Sequence, residues 1–145
     1  MTYVSDIYEA FEDKITDYDL AAYSDALQQE LLSEYLKSAC GHFGRICQQD
    51  LTIVETEQGE KVFDCDLTTQ EINIITEWML VAWLAPLRND LDNLRNRINT
   101  AEFSSISPAN MQNALEASYS ASRARARSAM NEYSYIHGDF DKLKT

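Results

Sequence analysis

With 145 residues, 45% of them hydrophobic, the chain has the size of one domain and enough apolar material for a core. A formal net charge of −12 and a pI near 4.4 exclude a protein that grips nucleic acid without regard to sequence, because neutralising phosphates needs a basic face. The three cysteines, Cys40, Cys47 and Cys65, are odd in number and scattered, which fits free thiols in a reducing compartment and not a disulfide framework.

The N-terminal stretch MTYVSDIYEAFED is acidic and lacks an apolar segment, so no secretory signal is expected. Four glycines and two prolines leave the chain poor in turn signals, which predicts mostly helix. Val4, Ile7, Tyr8, Phe11 and Ile15 recur at helical spacing and predict a short first helix, followed by a polar turn at Asp17 and Asp19. Ser24 is a candidate N-cap for a second helix. Its stripe reads Leu27, Leu31, Tyr35, Ala39, His42 and Ile46, with a stop near Cys47.

Residues 48–66 change character. Leu51-Thr52-Ile53-Val54 and Lys61-Val62-Phe63 are β-rich runs around Glu57-Gln58-Gly59-Glu60. They predict a short two-stranded flap or an extended loop, with a full sheet disfavoured.

Thr68-Thr69-Gln70-Glu71 is a capping box, with Thr68 as N-cap and Glu71 at the third helical position. In the helix it opens, Leu80, Leu84, Leu87, Leu91, Leu94 and Ile98 alternate steps of four and three, a seam of heptad type. Pro86 lies inside that seam, which predicts one long helix kinked there. Before the Pro, apolar residues occupy nearly every side, so this half is expected to be buried all round; the half after it is amphipathic. The uncharged apolar run Trp78–Leu87 is too short to span a membrane. Ser107-Pro108 starts a last helix, with Ser as N-cap and Pro at the first helical position. It runs through Met111, Leu115, Tyr119, Ser122, Ala126, Ala129, Met130 and Tyr133, and Gly138 ends it before a short tail. The expected fold is all-α: a small bundle of four main helices in one domain, 1–145, with a hairpin or loop insert at 48–66.

Charge is divided along the chain. Residues 1–77 carry seventeen Asp or Glu against four Lys or Arg, about −13; residues 78–145 carry seven against eight, about +1. Such a division suits a protein with two working surfaces, one meeting a basic partner or repelling polyanions and one packing against neighbours.

Candidate chemistry is thin. Cys40, His42 and Cys47 invite a zinc reading, but their spacing is not a usual ligand set, and small core or boundary residues are the better reading. No carboxylate sits in an apolar run beside a second polar group; Glu77, next to Trp78, comes nearest, and a surface charge or a pair with an Arg accounts for it. No nucleophile elbow, phosphate loop, dinucleotide fingerprint or H-E-x-x-H pattern occurs, so no enzymatic activity and no cofactor is expected. Arg123, Arg125 and Arg127 are two apart, and each step turns about 200° around a helix. They fan over a wide arc, either as a solvated face with local ion pairs or as contacts with acidic neighbours. Tyr133, Tyr135, Ile136, Phe140 and Leu143 are too many apolar groups for a free tail. They either fold back on the domain or anchor in a partner.

The cap Asp66–Glu71, the segment Trp78–Pro86 (WMLVAWLAP), the helix start Ser107-Pro-Ala-Asn110 and the Arg-rich terminal helix ending near Tyr-x-Tyr together resemble the head–tail connector proteins of tailed bacteriophages, over roughly residues 25–136. The resemblance implies a non-enzymatic helical adaptor. Such adaptors form a ring, commonly of twelve copies, between the portal and a stopper or other tail-side protein. DNA passes through without sequence-specific binding, and an acidic lumen keeps it from sticking. It implies a protein made in the host bacterial cytoplasm and resident at the head–tail interface of the virion, with no membrane. The strand-like insert at 48–66 departs from the simplest helical members. By the same resemblance the C-terminal segment reaches the portal, which puts Tyr133, Tyr135, Ile136, Phe140 and Leu143 at that contact; pairing with the acidic first half of a neighbouring subunit is the sharper alternative for Arg123, Arg125 and Arg127. Two other classes fit the residues: a small acidic regulator that binds a basic partner or mimics nucleic-acid charge, and, more remotely, a metal enzyme built on Cys40, His42 and Cys47.

Overall fold

A computed structural model describes residues 1–15, 25–87 and 108–137. In chain order these form β1 (Thr2–Tyr3), α1 (Val4–Lys14), α2 (Asp25–Phe43), β2 (Ile53–Glu55), β3 (Lys61–Phe63), α3 (Thr69–Leu87) and α4 (Pro108–Ile136). The molecule is mostly helical with a small three-stranded antiparallel sheet.

α3 is the hub: α1, α2 and α4 each pack against it. Its sequence explains why. Ile74, Ile75, Trp78, Met79, Leu80, Val81, Trp83 and Leu84 are all buried, so the helix offers an apolar surface in nearly every direction, as its composition predicts. Around it α1 contributes Val4, Ile7 and Phe11, and α2 contributes Leu32, Leu36, Ala39 and Phe43. α4 contributes Leu115, Ala126 and Tyr133. Pro86 lies in the last described turn of α3, and the seam beyond it at Leu91, Leu94 and Ile98 falls outside the described residues. So do the proposed cap Ser24, the cap Ser107 and the tail carrying Phe140 and Leu143. Pro108 is the first helical residue of α4, where its missing N–H costs nothing.

The all-helical expectation with a two-stranded flap is corrected on one point. β2 and β3 do pair as a hairpin, closed at Gly59 (φ 81°), but β1 adds a third strand, giving the order β1-β3-β2. Thr2 pairs with Phe63 and Tyr3 with Val62. The N-terminus is tied down further: the Thr2 N–H donates to the Cys65 carbonyl at 3.1 Å, and the Thr2 hydroxyl accepts from the Leu67 N–H at 2.8 Å. The terminal ammonium pairs with Asp66. A two-residue strand has no period to read, so only the pairing reveals it.

α2 also differs in register. The core stripe is Leu32, Tyr35, Leu36, Ala39 and Phe43, whereas His42 is exposed. The helix ends at Phe43 and continues as a turn in which the Gly44 N–H still reaches the Cys40 carbonyl at 2.8 Å. A Cβ at Gly44 would stand 2.7 Å from that oxygen, so glycine is needed there.

Candidate interaction surface

Two polar clusters fix how the helices are set, and the surface between them carries the charge. The first cluster joins α3 and α4. The capping box forms as expected: the Thr68 N–H donates to Glu71 Oε1 at 2.8 Å, and the Glu71 N–H donates to the Thr68 hydroxyl at 3.1 Å. The other carboxylate oxygen, Oε2, accepts from the Tyr133 hydroxyl at 2.7 Å and from the Cys47 thiol at 3.6 Å. Tyr133 in turn accepts from the Gln48 N–H at 2.8 Å. Glu71 is 2% exposed. It, and not Glu77, is therefore the carboxylate embedded among apolar groups beside further polar ones, which corrects the sequence reading. Burial would push the Glu71 carboxyl up, but the donors from Thr68, Tyr133 and Cys47 outweigh it and hold the group below its usual range. Burial pushes the Cys47 thiol up to about 11, so it stays protonated and donates. Burial likewise raises the Tyr133 hydroxyl. A charged acid surrounded by neutral donors is a structural clasp, with no poised proton to transfer.

The second cluster joins α1, α3 and α4. Glu77 pairs with Lys14 at 2.8 Å and lies 3.6 Å from Arg125. Lys14 also donates to Asn73 at 2.9 Å. Glu77 is thus an ion-pair partner whose Oε1 is bonded to Lys14 and whose buried Oε2 accepts no hydrogen bond, and the principal partner is a Lys where an Arg was expected.

Arg125 therefore lies along one flank of the buried stripe of α4, reaching toward Glu77 while 57% exposed. Arg123 and Arg127, four residues apart, lie on the opposite flank with Met130. Met130 Sδ accepts from the indole N–H of Trp78 at 2.7 Å, and His42 stacks on Trp78 with ring centroids 4.0 Å apart and planes at 9°. His42 is depressed by packing against its neighbours and then by the charges of Arg123, Arg127 and Arg45. The charges of these three arginines are felt at one exposed imidazole, which Trp78 and Met130 connect to the flank of α4 that carries Arg123 and Arg127. Spacing alone separated the arginines correctly but gave no sign that the charge of Arg45 would bear on the same imidazole as theirs.

Across α2 lies the opposite charge. A cleft of about 710 Å³ opens between α1, α2 and the hairpin turn, lined among others by Tyr3, Tyr8, Glu9, Glu12, Glu60 and Lys61. The Ser33 side chain hydrogen-bonds the Tyr8 hydroxyl at its wall. Of the apolar groups expected at the C-terminal end, Tyr133 is buried in the clasp at 1% exposure and is corrected from partner contact to core. Tyr135 and Ile136 are 70% and 62% exposed at the end of α4.

Cys40, His42 and Cys47 do not converge: Cys47 meets Glu71, His42 meets Trp78, and Cys40 is half-buried within α2. Among the described residues no group of three or more His, Cys, Asp or Glu side chains is arranged to hold a metal ion. Among them, too, no helix is long and apolar enough to cross a membrane. No family model matches the chain, and no curated protein or solved structure is measurably similar to it.

Proposed function

We propose that this chain is a structural virion protein, a head–tail connector adaptor that forms a ring beneath the portal of a tailed phage and lines the DNA passage. The observation that carries the reading is the exposed apolar end of the longest helix. Tyr135 and Ile136 stand in solvent at the terminus of α4, next in sequence to a segment that holds Phe140 and Leu143. Large apolar groups concentrated at one end of a rigid helix are what a docking anchor needs. The pattern shared with connector proteins supports the same reading, as does an acidic first half that repels DNA at the lumen wall. The proposal assigns no reaction and no cofactor to the chain; its partners are further copies of itself, the portal, and a stopper or tail-side protein.

The test is assembly on the portal protein of the same genome, followed by light scattering and electron microscopy. A ring on the portal, lost when residues 138–145 are deleted while the free chain keeps its melting temperature, is the expected result. No portal binding, or a small complex of fixed stoichiometry with a basic protein instead, overturns it in favour of the acidic regulator.

A further inference from the structure

The cleft and the arginine edge lie on opposite sides of one helix. Ser33, at the cleft wall, and His42, at the arginine edge, are nine residues apart on α2, a rotation of about 180°. The cleft side presents Glu9, Glu12 and Glu60 with one Lys61, and all four are exposed. On the His42 side, Arg123 and Arg127 share the flank of α4 that carries Met130, and Arg45 follows the end of α2 by two residues; all three are exposed. Neither set is consumed by the two clusters that hold the fold, which use Glu71, Glu77, Lys14 and Arg125. A molecule that carries a cation edge on one side and a carboxylate cleft on the other is complementary to a second copy of itself.

We infer that copies of this chain associate heterologously, the Arg45, Arg123 and Arg127 edge of one entering the Glu9, Glu12 and Glu60 cleft of the next. A contact between two different patches repeats indefinitely unless its rotation closes, so it generates a ring or an open filament and not a symmetric dimer. In this form the inference rests on the ring reading, for which it names the seam between neighbours. Guanidiniums suit that seam because each pairs two-pronged with a carboxylate, and Tyr3 and Tyr8 offer ring faces beside them. A polyanion is the competing occupant of the arginine edge, but three arginines against an overall charge of −12 make long-range attraction to DNA unfavourable.

The experiment uses the full chain with two double reversals, Arg123→Glu with Arg127→Glu, and Glu9→Arg with Glu12→Arg. All four positions are exposed, and circular dichroism checks that each variant folds. Each variant alone is expected to lose self-association by at least about tenfold in sedimentation velocity, with or without portal. An equimolar mixture is expected to recover it, because alternating copies restore opposite charges at every seam. The chain carrying all four reversals is expected to recover it as well. Assembly unaffected by the single reversals overturns the seam while leaving a ring on portal intact. Self-association that follows the reversals in the absence of any portal binding keeps the seam and overturns the connector reading. Failure of both the mixture and the four-fold variant to recover, or duplex DNA binding abolished by the arginine reversals, overturns the inference.

Discussion

The hydroxyl of Tyr133 donates to Glu71 at 2.7 Å, linking the last helical turns of α4 to the first turn of α3 across 62 residues of sequence. Glu71 already caps its own helix through Thr68, so one carboxylate closes a local turn with one oxygen and a tertiary contact with the other.

Tyr133→Phe keeps the ring, its edge-on contact with Phe43 at 5.0 Å, and its burial, and removes only the hydroxyl. A hydrogen bond to a charged acceptor contributes about 1.5–3 kcal/mol. The substitution should lower the free energy of unfolding by that amount in urea titration, because Glu71 stays buried with one donor fewer. The Gln48 N–H, at an exposed residue, finds water and adds little. An unchanged midpoint would mean the clasp contributes nothing.

The same carboxylate predicts an acid transition. Glu71 is held below its usual value in the folded chain, so the unfolded chain binds a proton at higher pH than the folded one. Its stabilising contribution is fully present above the ordinary glutamate value of about 4.3 and is lost as pH falls through the lower folded value. Glu71→Gln should therefore be less stable than the parent at pH 7 and should differ from it progressively less below pH about 4. Parallel stability–pH curves for the two proteins would show that Glu71 is not the group responsible.

Trp83 is fully buried in the hub helix, and truncating a large aromatic in a core costs about 3–5 kcal/mol. Trp83→Ala should lower the melting temperature strongly, and a melting curve that overlays the parent's would remove α3 from the centre of the fold.

What the sequence made legible is what is local or periodic. The Thr68 and Glu71 spacing of three residues announces the cap, and the unbroken apolar run around Trp78 and Trp83 announces a helix buried on all sides. The second role of Glu71 was illegible because its partners, Tyr133 and Cys47, are set by how α4 and the end of α2 fold over the cap. The α2 stripe was half legible. Two registers share Tyr35 and Ala39, and choosing His42 over its neighbour Phe43 put an exposed residue in the core. His42 lies outside the core, with its ring stacked on the buried Trp78. The arginine spacing fixed which side chains diverge, but the place of Lys14 beside Glu77 depends on contacts between helices.

Lys14 and Arg125 should not be equivalent partners of Glu77. The Lys14 and Glu77 side chains are 23% and 13% exposed and lie 2.8 Å apart, while Arg125 is 57% exposed and stands 3.6 Å away. Exposed pairs contribute about 0–1 kcal/mol, because water screens them and two long side chains lose freedom. Leaving a largely buried carboxylate without its close cation costs more, since Glu77 has only a distant second charge to turn to. Lys14→Met, which retains the apolar stem, should destabilise by about 1–3 kcal/mol, and Arg125→Ala by less than about 1. Chemical denaturation of the two single variants and the double variant decides it. A larger loss for Arg125→Ala than for Lys14→Met would reverse the assignment. It would make Arg125 the anchor of Glu77, with Lys14 the peripheral charge.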